Sequence, residues 1–351
     1  MGAFPRVEKL MQNRQVLFVK RPDGAVTSDI FDFRDTDTIE PRNGEVLIRN
    51  IYLSCDPYMR GQMKESGYSR RPFVLGEPLP ARAVGRVVAS RREGFNEGDY
   101  VWGFLAWELY TCQPADMQLW HVNPAYGPIS YGISVLGMPG LTAYAGMLKY
   151  GRVQPGETVF VSAASGAVGS VAGQLGRIAG ARVVGSAGSD AKVAHMKDVL
   201  RFDEAFNYKE TEIGNALDYH CPDGIDVYFD NVGGETLDAV LARLNEGARL
   251  PICGQISEYD ATSNHERYGI KNFPNLLSKH ATVTGFSVRD NMDMFDEFVT
   301  KMAALIKAGD LVYMEDIVDG IENAPEAFVG MMQGENIGKR LVRVGEDPTL
   351  S

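Results

Sequence analysis

The chain has 351 residues, 44% of them hydrophobic and 23% charged, with a net charge of −11. This is the composition of an ordinary globular protein long enough for two domains. The acidic balance disfavours nucleic acid and anionic membrane surfaces as partners, and no apolar run of about eighteen residues offers a spanning helix.

From Gln15 to about Val122 the pattern is β-rich. Short apolar or alternating runs at Val16–Val19, Glu45–Leu53, Val84–Val88 and Tyr100–Phe104 are separated by turn residues such as Pro22-Asp23-Gly24 and Asn96-Glu97-Gly98-Asp99. Such spacing predicts a compact, barrel-like β domain. Around Pro124 the pattern changes, and Gly137–Leu148 reads as a helix with small residues on one side.

Strands then alternate with helices from Thr158 to about Ala308. The first unit is the most informative. Val159-Phe160-Val161 is a buried-strand run, Ala163–Gly169 a turn of small residues, and Val168, Val171, Ala172, Leu175 and Ile178 recur at helical spacing. Gly180 ends the helix and Arg182–Gly185 opens a second strand. Further strands are expected at Glu204–Tyr208, Ile225–Phe229, Ala248–Gly254 and Ala281–Phe286, which together make a doubly wound parallel sheet. The fold class is therefore α/β, with a β-rich domain at residues 1–135 and a dinucleotide-type domain at 136–310. Glu315–Val318 and Lys339–Val344 again read as strands, and the polar tail VGEDPTLS is expected to fray.

The turn after Val161 carries chemistry. Small residues let the backbone approach a diphosphate, and the following helix offers unpaired N–H groups at its positive end. Gly166 and Gly169 satisfy two positions of the dinucleotide fingerprint, Ala164 stands at the first, and Ala167 and Val168 lie between. An NAD site would place an acid about twenty residues on, to bind the ribose 2′-OH. Here that region reads Gly185-Ser186-Ala187-Gly188-Ser189, followed by Lys192. Lys192 is either a solvated helix charge or the partner of a 2′-phosphate, and the missing acid favours NADP(H).

Taken together, the blocks NIYLSCDPYMRG from Asn50, LGMPGLTAYAG from Leu136, VSAASGAVGSVAGQLG from Val161, FNYKE from Phe206, GIDVYFDNVGGE from Gly224, ICGQISEY from Ile252 and ENIGKRLVRV from Glu335 resemble a known family. It is the zinc-independent medium-chain dehydrogenase/reductases that reduce conjugated double bonds: the 2-alkenal, prostaglandin and curcumin reductases. The resemblance spans nearly the whole chain. It implies a GroES-like first domain completed by residues 311–351, an inserted Rossmann domain, an NADPH cofactor and a homodimer. Position by position it implies that Gly166–Gly169 hold the diphosphate, Lys192 the 2′-phosphate, and Tyr208 the adenosine half. Asn231, the stretch Cys253–Tyr259 (with Gly254, Ile256 and Ser257), Phe286, Ser287, Val288 and Asn336 would approach the rest of the cofactor. Asn231 is otherwise an ordinary turn residue before Gly233-Gly234.

No metal is expected. Cys55 stands near the first cysteine of the zinc-type relatives, but the comparable region continues as Gly76-Glu77-Pro78 without their Gly-His-Glu, and no four cysteines cluster. Without those ligands, oxidation of a simple alcohol lacks its usual Lewis acid. A conjugated carbonyl is easier, because hydride adds to the β-carbon while charge moves to oxygen. That chemistry needs orientation and a hydrogen-bond donor near the oxygen, and tyrosine, with a pKa near ~10, keeps its proton at neutral pH. Tyr259 is expected to orient the enolate oxygen or the nicotinamide ribose hydroxyl. Tyr52 is expected to contact substrate, and Tyr58 either to contact it or to pack. The α-carbon proton could come from a tyrosine, a ribose relay or water. The expected activity is NADPH-dependent reduction of α,β-unsaturated aldehydes and ketones. The alternatives are a quinone or enoyl reductase, or an NADPH-binding protein without turnover. The loops Met63–Phe73 and Tyr259–Tyr268 are expected over the cleft. The opening MGAFPRVEKL has no signal-peptide core, and the four scattered cysteines (Cys55, Cys112, Cys221, Cys253) suit reduced thiols, so a cytoplasmic setting is expected.

Overall fold

The structure, a computed structural model, describes residues 11–65 and 72–350. Ser66–Arg71 of the expected loop Met63–Phe73 therefore lie outside the described residues. The chain forms two compact units. One gathers the residues up to Ile133 with Asp316–Asn336 and Arg340–Ser351; the other takes Ser134–Glu315 with Ile337–Lys339.

The first unit opens with β1 (Gln12–Phe18), β2 (Phe31–Asp37), β3 (Val46–Ser54), the single turn α1 (Met59–Gln62), β4 (Glu77–Pro78), β5 (Pro80–Ser90), β6 (Tyr100–Ala106), β7 (Tyr110–Gln113) and β8 (Leu119–His121). β3 is central. It pairs antiparallel with both β5 and β7, and eight of its nine residues are buried, which explains its nearly unbroken apolar run. Trp107 anchors the core beneath it, with the rings of Phe31 and Phe328 at 5.8 and 5.9 Å and its indole N–H donating to the Ser54 carbonyl. Each large apolar side chain buried this way contributes roughly 1.5–3 kcal/mol.

The second unit runs through α2 (Met138–Ala145), which passes directly into a π-helical turn at Gly146–Tyr150. It continues with β9 (Thr158–Val161), α3 (Gly169–Ile178), β10 (Arg182–Ala187), α4 (Asp190–Asp198), β11 (Glu204–Asn207), α5 (Ile213–His220), β12 (Ile225–Phe229), α6 (Gly234–Leu241), β13 (Leu244–Ile252), α7 (Asn275–Ser278), β14 (Thr282–Gly285) and α8 (Phe295–Ala308). Its sheet is parallel throughout, in the order β11-β10-β9-β12-β13-β14. The strand order therefore reverses between β9 and β12. In doubly wound sheets that switch point, at the carboxyl ends of the strands, is where ligands bind.

The chain then returns through β15 (Glu315–Asp319), α9 (Ala324–Met332) and β16 (Lys339–Arg343). β16 pairs antiparallel with β3, Leu341 opposite Ser54, and extends the first unit's sheet to the order β15-β16-β3-β5-β6-β8.

One expectation fails here. The C-terminal tail does not simply fray: Asp347 is buried and accepts the Tyr52 hydroxyl at 3.0 Å. The same carboxylate caps its own turn through the Thr349 N–H and hydroxyl. A buried phenol needs a hydrogen-bond partner, and a polar tail can supply one.

Candidate functional site

The second unit's sheet edge carries most of the expected residues. After β9 the backbone turns sharply through Ala163, which holds a left-handed φ of 49° although it is not glycine. The turn is tight enough that a Cβ on Gly169 would lie 2.5 Å from the Ala163 carbonyl oxygen and 2.8 Å from the Ala164 Cα. Gly169 begins α3, whose first N–H groups lie over the turn of small residues; of these, Ser170 and Ala172 already donate to the Gly166 and Val168 carbonyls. Gly166 is less constrained, its Cβ position meeting only the Ala163 oxygen at 3.3 Å. It has another role: it bridges in parallel to Gly338, whose N–H donates to the Ser165 carbonyl at 2.8 Å. Gly338 has φ +76°, and a side chain there would collide with the Met314 carbonyl.

β10 ends on small residues, Ser186 and Ala187, and Gly188 follows. Ser189 then caps α4, its carbonyl and hydroxyl accepting from the Lys192 N–H. Lys192 is 8% exposed, so it is not the solvated helix charge that its residue type suggests. Asp190, the one acid nearby, accepts from the Asn207 side chain at 2.9 Å. Tyr208 is half exposed, and its hydroxyl crosses Gly188: a Cβ there would sit 2.9 Å from the oxygen and 3.2 Å from Cε of Lys209. Gly188 is thus small because Tyr208 and Lys209 close over it. Lys209 was not singled out in the sequence, although it follows Tyr208 directly.

The other half of the edge is built on buried carboxylate chemistry. Asn231, just past β12, donates its side-chain amide to the Ser162 carbonyl at 2.7 Å and its N–H to the Ser162 hydroxyl at 3.0 Å. Its neighbour Asp230 is fully buried. Oδ1 of Asp230 accepts the Tyr228 hydroxyl (2.7 Å) and the N–H groups of Val232 (2.9 Å) and Gly233 (2.8 Å), and so shapes the turn that presents Asn231. Oδ2 has no partner. Burial pushes the Asp230 carboxyl above the usual range despite these donors, and burial with Asp230 alongside drives the Tyr228 phenol well up. Asp230, Tyr228 and Ser162, which hold the turn at Asn231, were not singled out in the sequence. Their only signal was the acid inside FDNVGG.

The Asp230 carbonyl accepts the N–H groups of Cys253 (2.9 Å) and Gly254 (3.0 Å), tying the end of β13 to the same point. The Cys253 thiol is pushed up to about 12, first by burial and then by Asp230, so it stays protonated and unreactive. Ile256 donates its N–H to the Asn231 carbonyl, and Ser257 donates both N–H and hydroxyl to the Val232 carbonyl. This 3₁₀ turn (Ile256–Glu258) delivers Tyr259. A Cβ on Gly254 would lie 3.1 Å from the Tyr259 hydroxyl and 3.4 Å from the Asn231 carbonyl oxygen. The tyrosine oxygen, Gly254 and Asn231 therefore meet at the carboxyl ends of β12 and β13.

Phe286 follows β14 and stacks on Tyr150, ring centroids 4.7 Å apart. The Ser287 carbonyl accepts the side-chain amide of the buried Asn291, whose Oδ1 takes Lys149 Nζ (2.8 Å) and the Tyr150 hydroxyl (3.2 Å). Ser287 Oγ accepts the Arg289 N–H and caps the 3₁₀ segment that Val288 begins. The remaining expected residues belong to the first unit. Tyr52 is fully buried, and its hydroxyl donates to Asp347. Tyr58 is half-buried, with the Arg82 guanidinium 5.0 Å above its ring. Asn336 ends the Asp316–Asn336 segment. Among the described residues, no group of three or more His, Cys, Asp or Glu could hold a metal ion.

The residues fit a phosphorylated dinucleotide. A Cβ at Gly169 would overlap the Ala163–Ala164 backbone, so the turn of small residues packs directly on the start of α3, and the region after β10 carries a buried lysine where an acid would repel a phosphate. Comparison with known proteins agrees. Residues 14–122 match a family model described as the N-terminal domain of oxidoreductase, and residues 167–306 match one described as zinc-binding dehydrogenase. A 2-alkenal reductase (NADP(+)-dependent) of Nicotiana tabacum is 43% identical over 87% of this chain and 89% of its own. The NADPH-dependent curcumin reductase of Escherichia coli is 38% identical over 97% and 99%. The crystal structure of CurA from Vibrio vulnificus in complex with NADPH superposes with a TM-score of 0.89, at 39% identity, over 95% of this chain and 99% of that one. The chain belongs to the medium-chain dehydrogenase/reductases, among the NADP-dependent 2-alkenal, curcumin and prostaglandin reductases.

Proposed function

We propose that this enzyme reduces the carbon–carbon double bond of α,β-unsaturated aldehydes and ketones with NADPH, and that Tyr259 is the donor that receives the substrate oxygen. The observation that carries the reading is the Tyr259 hydroxyl crossing Gly254 beside Asn231, at the switch point of the parallel sheet. Bound NADPH supplies the hydride. Gly166–Gly169 receive the diphosphate, Lys192 with Tyr208 the 2′-phosphorylated ribose, and Asn231, Gly254 and the Phe286–Val288 segment the nicotinamide half. As the β-carbon is reduced, negative charge develops on the carbonyl oxygen. A preorganised phenol hydroxyl stabilises that charge more than it stabilises the neutral carbonyl, so the gain falls on the rate. The α-carbon is then protonated.

For the first unit the geometry favours a supporting role for Tyr52 and Tyr58, with substrate contact by Tyr52 requiring its Asp347 bond to break. Asn336 is placed by the family resemblance alone.

Two further readings follow. The enzyme acts as a homodimer joined through β14. This strand is the outer one of its sheet, and Val283, Leu277 (83% exposed) and Phe273 leave apolar surface on and beside it. It works in the cytoplasm: its four cysteines are free thiols, and no helix among the described residues is long and apolar enough to cross a membrane.

The test is NADPH consumption on a panel of an alkenal, an enone, a quinone and an enoyl thioester, with NADH as control. Turnover should be fastest on the alkenal and enone, and slow with NADH. Faster turnover of the quinone or thioester moves the enzyme to those acceptors, and NADPH binding without turnover removes the enzyme reading. Sedimentation of wild type and Leu277→Glu should give a dimer and a monomer; two identical profiles would overturn the β14 interface.

A further inference from the structure

Between the end of β13 and the start of β14 the chain makes a long excursion that includes Tyr259. It is pinned along the length of α6. At the helix start, Ser257 Oγ donates to the Val232 carbonyl at 2.6 Å, and Glu258 lies against Gly234. At the helix end, the Asn275 side chain donates to the Leu241 carbonyl at 3.0 Å. The strongest pin lies between them.

Asp238, one turn into α6, is 3% exposed. Its Oδ1 accepts two consecutive backbone N–H groups, from Lys271 at 2.8 Å and Asn272 at 2.7 Å, while Oδ2 accepts the Tyr268 hydroxyl at 3.0 Å. Asn272 answers by donating its side-chain amide to the Asp238 carbonyl at 3.1 Å. Tyr268 in turn donates its N–H to Glu258 Oε1 at 3.3 Å. That bond joins the residue before Tyr259 to the far side of the excursion and closes a loop of nine residues at its neck. The Thr262 N–H and hydroxyl on Glu266 tie the loop internally. The neck therefore rests on one buried carboxylate, thirty residues upstream.

We propose that Asp238 is a positioning residue of the reductase: through Tyr268, Lys271 and Asn272 it fixes the loop neck that aims the Tyr259 hydroxyl across Gly254. The proposal rests on the reading of Tyr259 as the substrate-oxygen donor. A hydroxyl misplaced by about an ångström loses much of its rate contribution, whereas the 2′-phosphate end of the edge, on β10 and β11, shares none of these bonds.

The experiment compares Asp238→Ala, Asp238→Asn, Tyr259→Phe and the Asp238→Ala/Tyr259→Phe double variant. It reads kcat and KM on an enone, NADPH affinity by fluorescence, and amide hydrogen exchange across residues 259–273. Asp238→Ala should lower kcat/KM by on the order of 10-fold, leave NADPH affinity unchanged and speed exchange in the loop. Asn keeps an oxygen for both backbone N–H groups, so Asp238→Asn should restore most of the rate and slow exchange. The double variant should be no slower than Tyr259→Phe alone. Losses that multiply in the double variant, or loop exchange unchanged in Asp238→Ala, would overturn the proposal. If the alanine variant fails to fold, Tyr268→Phe, which removes one of the three bonds, carries the same exchange and kinetic comparison. A Tyr259→Phe variant with wild-type kinetics would instead sink the catalytic reading of Tyr259, and the exchange data would still decide whether Asp238 holds the loop.

Discussion

The two halves of the Rossmann edge solve the problem of positioning in opposite ways. The β10–β11 half uses groups close in sequence and partly in reach of solvent: Gly188, Lys192, Tyr208 and Lys209 lie within about one turn of a strand end. The β12–β13 half uses two buried carboxylates, each engaged with the protein's own groups. Asp230 collects a phenol and two N–H groups to present Asn231, and Asp238 collects a phenol and two N–H groups to hold the loop of Tyr259. The difference follows from the task. A phosphate is recognised by charge at modest precision, whereas a reacting carbon must be placed to a fraction of an ångström. In the proposed reading the hydride-transfer end falls to the β12–β13 half, the one bonded through buried polar groups that are costly to leave unpaired.

The sharpest way to break this comparison is Asp230→Ala. It leaves the Tyr228 hydroxyl with Ser162 alone and takes the acceptor from the Val232 and Gly233 N–H groups, and should cost about 3 kcal/mol of stability, read as a lowered denaturation midpoint. An equally large loss from truncating Lys192 would erase the distinction. Tyr259→Phe should leave stability intact and lower kcat/KM on an enone by on the order of 100-fold, as removal of an oxyanion donor does. Lys192→Ala should raise the KM for NADPH by roughly 10- to 100-fold and barely change that for NADH, because only the phosphorylated ribose loses its partner. If both coenzymes suffer alike, the lysine is structural. The smallest effect is the pH dependence of Asp230. Its native pKa lies above the unfolded value, so the native state holds the proton more tightly. The stabilisation that this proton brings is fully present below the unfolded value and lost as pH rises through the native one. Asp230→Asn, which cannot ionise, should lack this slope; identical melting curves against pH for both proteins would remove it.

Much of the architecture was legible because its determinants are local. The strand–turn–helix at Thr158–Ile178 announces itself through a short β-branched and aromatic run, a stretch of small residues and a period near 3.6, and the structure places β9 and α3 there. The missing acid after β10 pointed to NADPH for the same reason, two facts lying on adjacent residues. What stayed hidden was long-range. Nothing near Asp238 in the sequence says that residues 268–272 will return to it, and Asp230 reads as one more polar turn residue. The tail misled in the same way: its composition suggests solvent, but the partner that buries Asp347 is Tyr52, far back in β3. Polar residues are placed by partners, and partners are not written beside them.

The segment around Gly338 has a consequence for the order in which the protein is made. Its N–H closes onto Ser165 in the glycine turn, and the next residues form β16 on β3. A ribosome exposes the turn and the first unit's strands long before it has translated this stretch. Neither unit can complete its hydrogen bonding during most of synthesis, and both acquire their last strand-like contact from the same handful of residues. A nascent chain stalled before Gly338 would carry the turns after β9, β10 and β12, yet would lack the bond to the Ser165 carbonyl that ties down the first of them. Completion of the hydrogen bonding in both units therefore waits on one short segment, Gly338 and the strand after it.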